Sequence, residues 1–221
     1  MAETLVILHG WGSDLSRWKP LVKKLKSTGL FVILPGLPQD KVRNIADFSD
    51  WLYQKTKTLP PFFLAGHSFG GQIAINFAAN HPERVKKLIL IASAGIRRPS
   101  WKRKIITPLA KLLRGYLREK AKSLLYRLLL ATDYYRANPK MRQTMAIILT
   151  EDQQKNMVKV KAPTLIIWGK FDHYTPLKDG RLIHELINHS RFFVISDAQH
   201  GLPFTHIKPL KEKILWFIGS K

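Results

Sequence analysis

Residues 64–71 read LAGHSFGG. They follow an apolar run, PFF at 61–63, and precede a helical-looking segment, GGQIAINFAAN. The core of the stretch is Gly66-His67-Ser68-Phe69-Gly70, a G-x-S-x-G pattern. A buried strand has no use for a hydroxyl at its end, but a sharp strand-to-helix turn that exposes one nucleophile does. Glycines suit such a turn, where Cβ atoms would collide with neighbouring backbone.

Working outward, strand and helix alternate. TLVIL (4–8) is a short apolar run closed by His9-Gly10. An amphipathic stretch follows, with Leu15, Trp18, Leu21, Val22 and Leu25 at helical spacing and Gly29 as its stop. LFVILPG (30–36), PFFLAG (61–66), VKKLILIAS (85–93), APTLIIWG (162–169) and RFFVIS (191–196) are further strands. Helices are expected at 44–57, after Ser68, near 177–187 and at 207–218. Near-continuously apolar strands alternating with helices predict an α/β fold, a mostly parallel sheet of about six strands covered on both faces. Ligands in such sheets bind beyond the carboxyl ends of the strands.

Residues 97–161 break this rhythm. They contain no convincing strand, and two leucine stripes, around 109–117 and 124–129, mark helices. The expected organisation is a core of 1–96 and 162–221 with a helical insertion at 97–161.

A serine hydroxyl needs a base, and the base needs an orienting carboxylate. TLIIWGKFDHYTP places Asp172 just past one strand, and FFVISDAQHGLPF places His200 just past the next. The order Ser68, Asp172, His200 is the one this turn motif requires. Asp197, three residues before His200, is a rival acid that suits a cap or loop turn better. The backbone N–H of Phe69, and that of Trp11 in the HGWG loop, can hold a developing oxyanion. His67 and His9 are expected to support loops by hydrogen bonding, and His173 to neighbour the acid without a chemical task. HELINH (184–189) resembles a zinc motif, but its histidines are five apart and share no helix face. No metal and no cofactor are expected.

LHGWG, GHSFGG, WGKFD and DAQHGLPF together resemble the α/β-hydrolase-fold serine hydrolases. HGWG and HGLPFTHIKPL give a narrower similarity to carboxylesterases of the pimeloyl-[acyl-carrier protein] methyl ester esterase type. The resemblance implies Ser68 as nucleophile, His200 as base, Asp172 as its partner, and Trp11 and Phe69 as oxyanion donors. It implies cleavage of carboxylic esters, with lactones, thioesters and carbon–carbon bonds open to the same triad; the alternative class is a non-catalytic binding protein of this fold that recognises an acidic partner through its basic lid. In this family the insertion is a lid over the active site. The usual antiparallel strand pair before the HG strand has no counterpart, because only Met1–Glu3 precede it. LFVIL would then lie at the sheet edge, covered by helices or paired in a dimer.

Composition narrows the partners. The chain has 221 residues, 37 Lys and Arg against 15 Asp and Glu, a net charge of +22, and no cysteine. Disulfides, thiolate metal sites and a cysteine nucleophile are excluded. No stretch approaches the ~20 apolar residues of a membrane span, so a cytoplasmic protein, monomer or homodimer, is expected. Residues 97–161 hold 17 basic and 4 acidic residues. A positive lid would steer anionic substrates or an acidic carrier protein. The same charges would also serve simply to solubilise amphipathic helices. Nucleic acid is not expected as a partner.

Overall fold

The computed structural model describes residues 3–97 and 139–220. Six strands form one parallel sheet: β1 (Thr4–Leu8), β2 (Phe31–Ile33), β3 (Phe62–His67), β4 (Val85–Ile91), β5 (Thr164–Gly169) and β6 (Ser190–Ile195). Their order is β2-β1-β3-β4-β5-β6. The helices are α1 (Lys19–Lys26), α2 (Ile45–Thr56), α3 (Phe69–Asn80), α4 (Pro139–Ile148), α5 (Gln154–Met157), α6 (Leu177–Leu186), α7 (Leu202–Thr205) and α8 (Ile207–Gly219).

The pleat sorts the strand residues into two cores. Val6, Leu8, Leu64, Leu88, Leu90 and Ile166 face one side, where Phe48 of α2, Ile73 and Phe77 of α3, Met157 of α5 and Ile183 of α6 cover them. Leu5, Ile7, Phe63, Ile89, Leu165 and Ile167 face the other, beneath Leu21 and Leu25 of α1 and Leu210, Ile214 and Phe217 of α8. Burial on both faces explains why the strands read as unbroken apolar runs.

Local signals fix the helix starts. Asn44 and Asp47 form a reciprocal capping box on α2. Asp14 accepts the Ser16 N–H at 2.8 Å to open a short 3-10 turn, Leu15–Trp18, that leads into α1. At the far end of α8, the Lys87 ammonium donates to the carbonyls of Phe217 and Ile218 at 2.8 and 3.2 Å.

The expected LFVIL strand contracts to three residues. Among the described residues it lies at the sheet edge, paired with β1 alone, and Phe31 is 54% exposed. Its own helices therefore leave that edge partly open.

The sheet order reverses direction at β1. From β1 the chain moves outward to β2, then crosses back to β3 and continues to β6. The helices after β1 and β3 cover opposite faces, so the loops after these two strands diverge and leave a crevice between them. That crevice is where an open parallel sheet binds ligands.

Most of the expected lid, residues 98–138 with both leucine stripes and Trp101, lies outside the described residues. Its C-terminal part is anchored to the core. Thr144 of α4 accepts the Arg43 N–H at 3.0 Å. The Glu151 carboxylate accepts the Ile45 N–H at 3.2 Å, and Asn76 of α3 donates to Gln153 at 3.3 Å.

Candidate active site

The turn after β3 forces Ser68 into φ 54°, ψ −120°, a left-handed conformation that costs a side-chain-bearing residue ~1–3 kcal/mol. Three backbone bonds hold it there. Its N–H donates to Ile91 O at 3.1 Å, and its carbonyl accepts the N–H groups of Gly71 and Ala94, both at 2.9 Å. Ala92, at the end of the adjacent strand, also has positive φ, 43°.

The glycines are sterically required. A Cβ on Gly66 would lie 2.5 Å from Gly70 O and 2.6 Å from Gly71 Cα. A Cβ on Gly70 would strike the carbonyl oxygens of Leu8 and His9. A Cβ on Gly10 would come within 3.3 Å of Ser68 Cβ. The loop after β1 therefore packs backbone-first against the serine turn. Trp11 lies edge-on to Phe69, with ring centroids 5.4 Å apart. The first N–H groups of α3, that of Phe69 among them, have no intrahelical acceptor and carry the positive end of the helix dipole.

Asp172 and His200 meet. His200 Nδ1 lies 2.8 Å from Asp172 Oδ2, and the carboxylate is fully shielded from solvent. Asp172 Oδ1 accepts the N–H groups of Tyr174 and Thr175, each at 2.9 Å. Burial pushes the Asp172 carboxyl up, but the hydrogen bond and charge of His200 and the Thr175 bonds outweigh it and hold the group below the usual carboxylate range. It therefore stays ionised and accepts the His200 Nδ1–H, which leaves Nε2 free as a base.

Thr175 is the residue that motif reading misses. Its hydroxyl lies 2.9 Å from Asp172 Oδ2, 3.1 Å from Ala92 O and 3.3 Å from His200 Nδ1. Its own carbonyl accepts the Trp168 indole N–H at 2.7 Å. The available signal is Asp172-x-x-Thr175, the spacing of an Asx-type turn after a strand.

His67 joins the serine turn to the histidine loop. Its Nε2–H donates to the His200 carbonyl at 3.0 Å, and the two rings lie 5.0 Å apart. Burial, with a smaller contribution from the nearby His200 charge, lowers its pKa to about 3, so the ring is neutral. Among the described residues Nδ1 is then a buried acceptor without a partner. His9 ties the β1 loop to the β2 loop. Its Nδ1 is 2.8 Å from Gly10 O, and its Nε2 accepts the Leu37 N–H at 3.2 Å. Burial lowers the His9 pKa as well.

The remaining candidates separate from the site. Asp197 is 78% exposed and pairs with His206 at 3.3 Å. His173 is exposed. His184 hydrogen-bonds Ser190 Oγ at 2.7 Å, and no metal-binding cluster occurs among the described residues. Trp168 is buried in the core. Among the described residues the Ser68 hydroxyl makes no hydrogen bond. Beside the serine turn, a small cleft is lined by Trp11, Leu37, Lys41, Phe48, Phe69 and Met141, among others.

Comparisons with known proteins agree with this architecture. The sequence model of the family Hydrolase_4, described as serine aminopeptidase, S33, matches residues 38–204. A 2-hydroxy-6-oxononadienedioate/2-hydroxy-6-oxononatrienedioate hydrolase from Paraburkholderia phymatum is 29% identical over 99% of this chain and 88% of that protein. The pimeloyl-[acyl-carrier protein] methyl ester esterase of Aeromonas salmonicida is 24% identical over 97% of this chain and 95% of its own length. The solved enol-lactonase from Burkholderia xenovorans LB400 superposes with a TM-score of 0.76 at 20% identity, covering 100% of this chain and 92% of that one. The chain belongs to the Hydrolase_4 family of α/β hydrolases and is an enzyme.

Proposed function

We propose that the chain hydrolyses carboxylic esters through Ser68, His200 and Asp172. The observation that carries this reading is the 2.8 Å His200–Asp172 bond, with a solvent-shielded carboxylate, beside the strained Ser68 turn. Ser68 Oγ attacks the ester carbonyl carbon while His200 Nε2 takes its proton. The hydroxyl and Nε2 draw together when substrate binds, as catalytic hydrogen bonds commonly do. The Phe69 and Trp11 backbone N–H groups hold the oxyanion. Collapse of the tetrahedral intermediate expels the alcohol, which receives the proton from His200. Water, deprotonated by the same nitrogen, then releases the acid and restores Ser68.

The acyl group enters the cleft between Trp11, Phe48, Phe69 and Met141, whose apolar walls suit an alkyl chain. Residues 97–161 act as its lid, and their positive charge favours anionic substrates or an acidic carrier protein. The esterase relative supports an ester, whereas the oxononadienedioate hydrolase and the enol-lactonase keep carbon–carbon bonds and lactones in view.

The test is hydrolysis of p-nitrophenyl butyrate together with labelling by a fluorophosphonate. Both should occur in the native chain, and Ser68→Ala should abolish labelling and lower kcat by roughly 10⁶-fold. Undiminished cleavage in that variant would remove Ser68 from the chemistry. A panel of esters, lactones and vinylogous 1,5-diketones then ranks the bond cleaved.

A further inference from the structure

The two faces of the sheet differ sharply in charge. On one, among the described residues, α2, α3, α4, α5 and α6 carry six cations and four carboxylates. On the other, α1 carries Lys19, Lys23, Lys24 and Lys26, and α8 carries Lys208, Lys211 and Lys213, against Glu212 alone. None of these seven lysines forms an ion pair with a described carboxylate. Leu21, Leu25, Leu210 and Ile214 of the same two helices are buried together against the sheet, so the lysines share one outer surface. Lys19, Lys23, Lys24, Lys26 and Lys208 are exposed. Lys23, Lys24 and Lys26 complement the C-terminal dipole of α1, but seven like charges on two neighbouring helices also repel one another. Their mutual repulsion is relieved by an anionic partner.

The border of this face identifies the kind of partner. Where α8 meets the β6 edge, Trp216 is 45% and Val194 41% exposed. The Arg191 guanidinium sits 4.9 Å above the Trp216 ring, Phe193 packs edge-on to it at 5.5 Å, and Lys213 lies 4.4 Å from the Phe193 ring. Nucleobases need a free aromatic face on which to stack, and here the guanidinium covers one. An amphipathic indole flanked by long cationic side chains is instead suited to the headgroup layer of a bilayer. Mobile anionic headgroups can also match any spacing of lysines. No described helix is long and apolar enough to cross a membrane, so contact would be peripheral.

We infer that the α1/α8 face docks the enzyme on anionic lipid surfaces, with Trp216 at the polar boundary. This inference does not depend on Ser68 being the nucleophile.

The experiment is co-sedimentation of the full chain with large unilamellar vesicles, either pure phosphatidylcholine or with about 30% phosphatidylglycerol, at about 0.05 and 0.5 M salt. The protein should pellet with the anionic vesicles at low salt. It should stay in solution with neutral ones, and binding should fall at least tenfold at high salt. The triple variant Lys23→Glu, Lys26→Glu, Lys208→Glu should weaken binding at least tenfold. Lys55→Glu with Lys178→Glu, on the opposite face, should change it less than about twofold. The milder Lys23→Gln, Lys26→Gln, Lys208→Gln set covers the case in which charge reversal disturbs folding. Hydrolysis of soluble p-nitrophenyl butyrate should be unchanged in all of them. Failure to bind anionic vesicles overturns the inference. So does equal sensitivity of the two faces, which would assign binding to net charge. Retention of polyuridylate without vesicle binding would make the face a nucleic-acid surface instead.

Discussion

Replacing His67 with Phe tests how the base is held. The phenyl ring fills nearly the same space between Trp18, at 5.8 Å, and Phe204, at 6.1 Å. It removes one donor, the Nε2–H that reaches the His200 carbonyl at 3.0 Å. An unsatisfied, partly buried carbonyl costs ~1–3 kcal/mol. Removing the unpartnered Nδ1 offsets part of this, so stability should fall by only ~1 kcal/mol, or ~2–4 °C in Tm. The kinetic loss should be larger. Without this bond the His200 loop is free to shift by a fraction of an ångström, and errors of about 1 Å in a reacting group cost roughly 10²-fold. We expect kcat on p-nitrophenyl butyrate to fall ~10–100-fold with KM within ~3-fold, and fluorophosphonate labelling to slow in parallel. His67→Gln, whose amide can donate from a similar distance, should recover most of the rate. A Phe variant within twofold of native kcat, or a Gln variant no better than Phe, would refute the positioning role.

Other expectations follow from the same geometry. Asp172→Asn keeps the shape but favours the wrong His200 tautomer, so kcat should drop roughly 10⁴-fold while urea stability changes little; a loss under tenfold would show that another acid serves His200. Gly70→Ala drives a methyl into the Leu8 and His9 carbonyls and should destabilise the fold by ~3 kcal/mol or more, seen as insoluble expression or a much lower Tm. Acid should weaken the fold through His67. Unfolded, this group binds a proton below its ordinary value of 6.5; folded, it does so only near about 3. Its stabilising effect is complete above 6.5 and is lost by ~1.4 kcal/mol per pH unit as pH falls between those values. The lowered pKa values of His9 and Asp172 act in the same direction, Asp172 only below the carboxylate range. The urea midpoint should fall from pH 7 to pH 5, and less steeply in His67→Phe; equal slopes would contradict a neutral buried imidazole.

The inner strands were legible because burial on both sheet faces makes them apolar runs too short for helices and bounded by Gly or Pro. The placement of Ser68, Asp172 and His200 along one rim was legible because each sits just past a strand end, and the carboxyl ends of a parallel sheet share an edge. Thr175 was only half legible: Asp172-x-x-Thr175 signals its bond to Asp172, but its contact with Ala92 spans 83 residues and no local pattern encodes that. The bond from His67 to His200 spans 133 residues; sequence suggested a supporting histidine without its partner. The shortness of β2 was hidden because an edge strand loses its outer pairing for reasons of topology, and LFVIL has the apolar character of a longer one.

The contact of Gly70 with the carbonyls of Leu8 and His9 divides the labour of the enzyme between main chain and side chains. The corner proposed to break the bond is assembled from peptide groups in close contact, with room for little besides hydrogen. The cleft wall beside it is built from side chains outside the core, such as Leu37, Lys41 and Met141. New substrates can therefore be accommodated by repainting that wall while the reacting corner stays untouched, which makes those three positions the place to begin a redesign of selectivity.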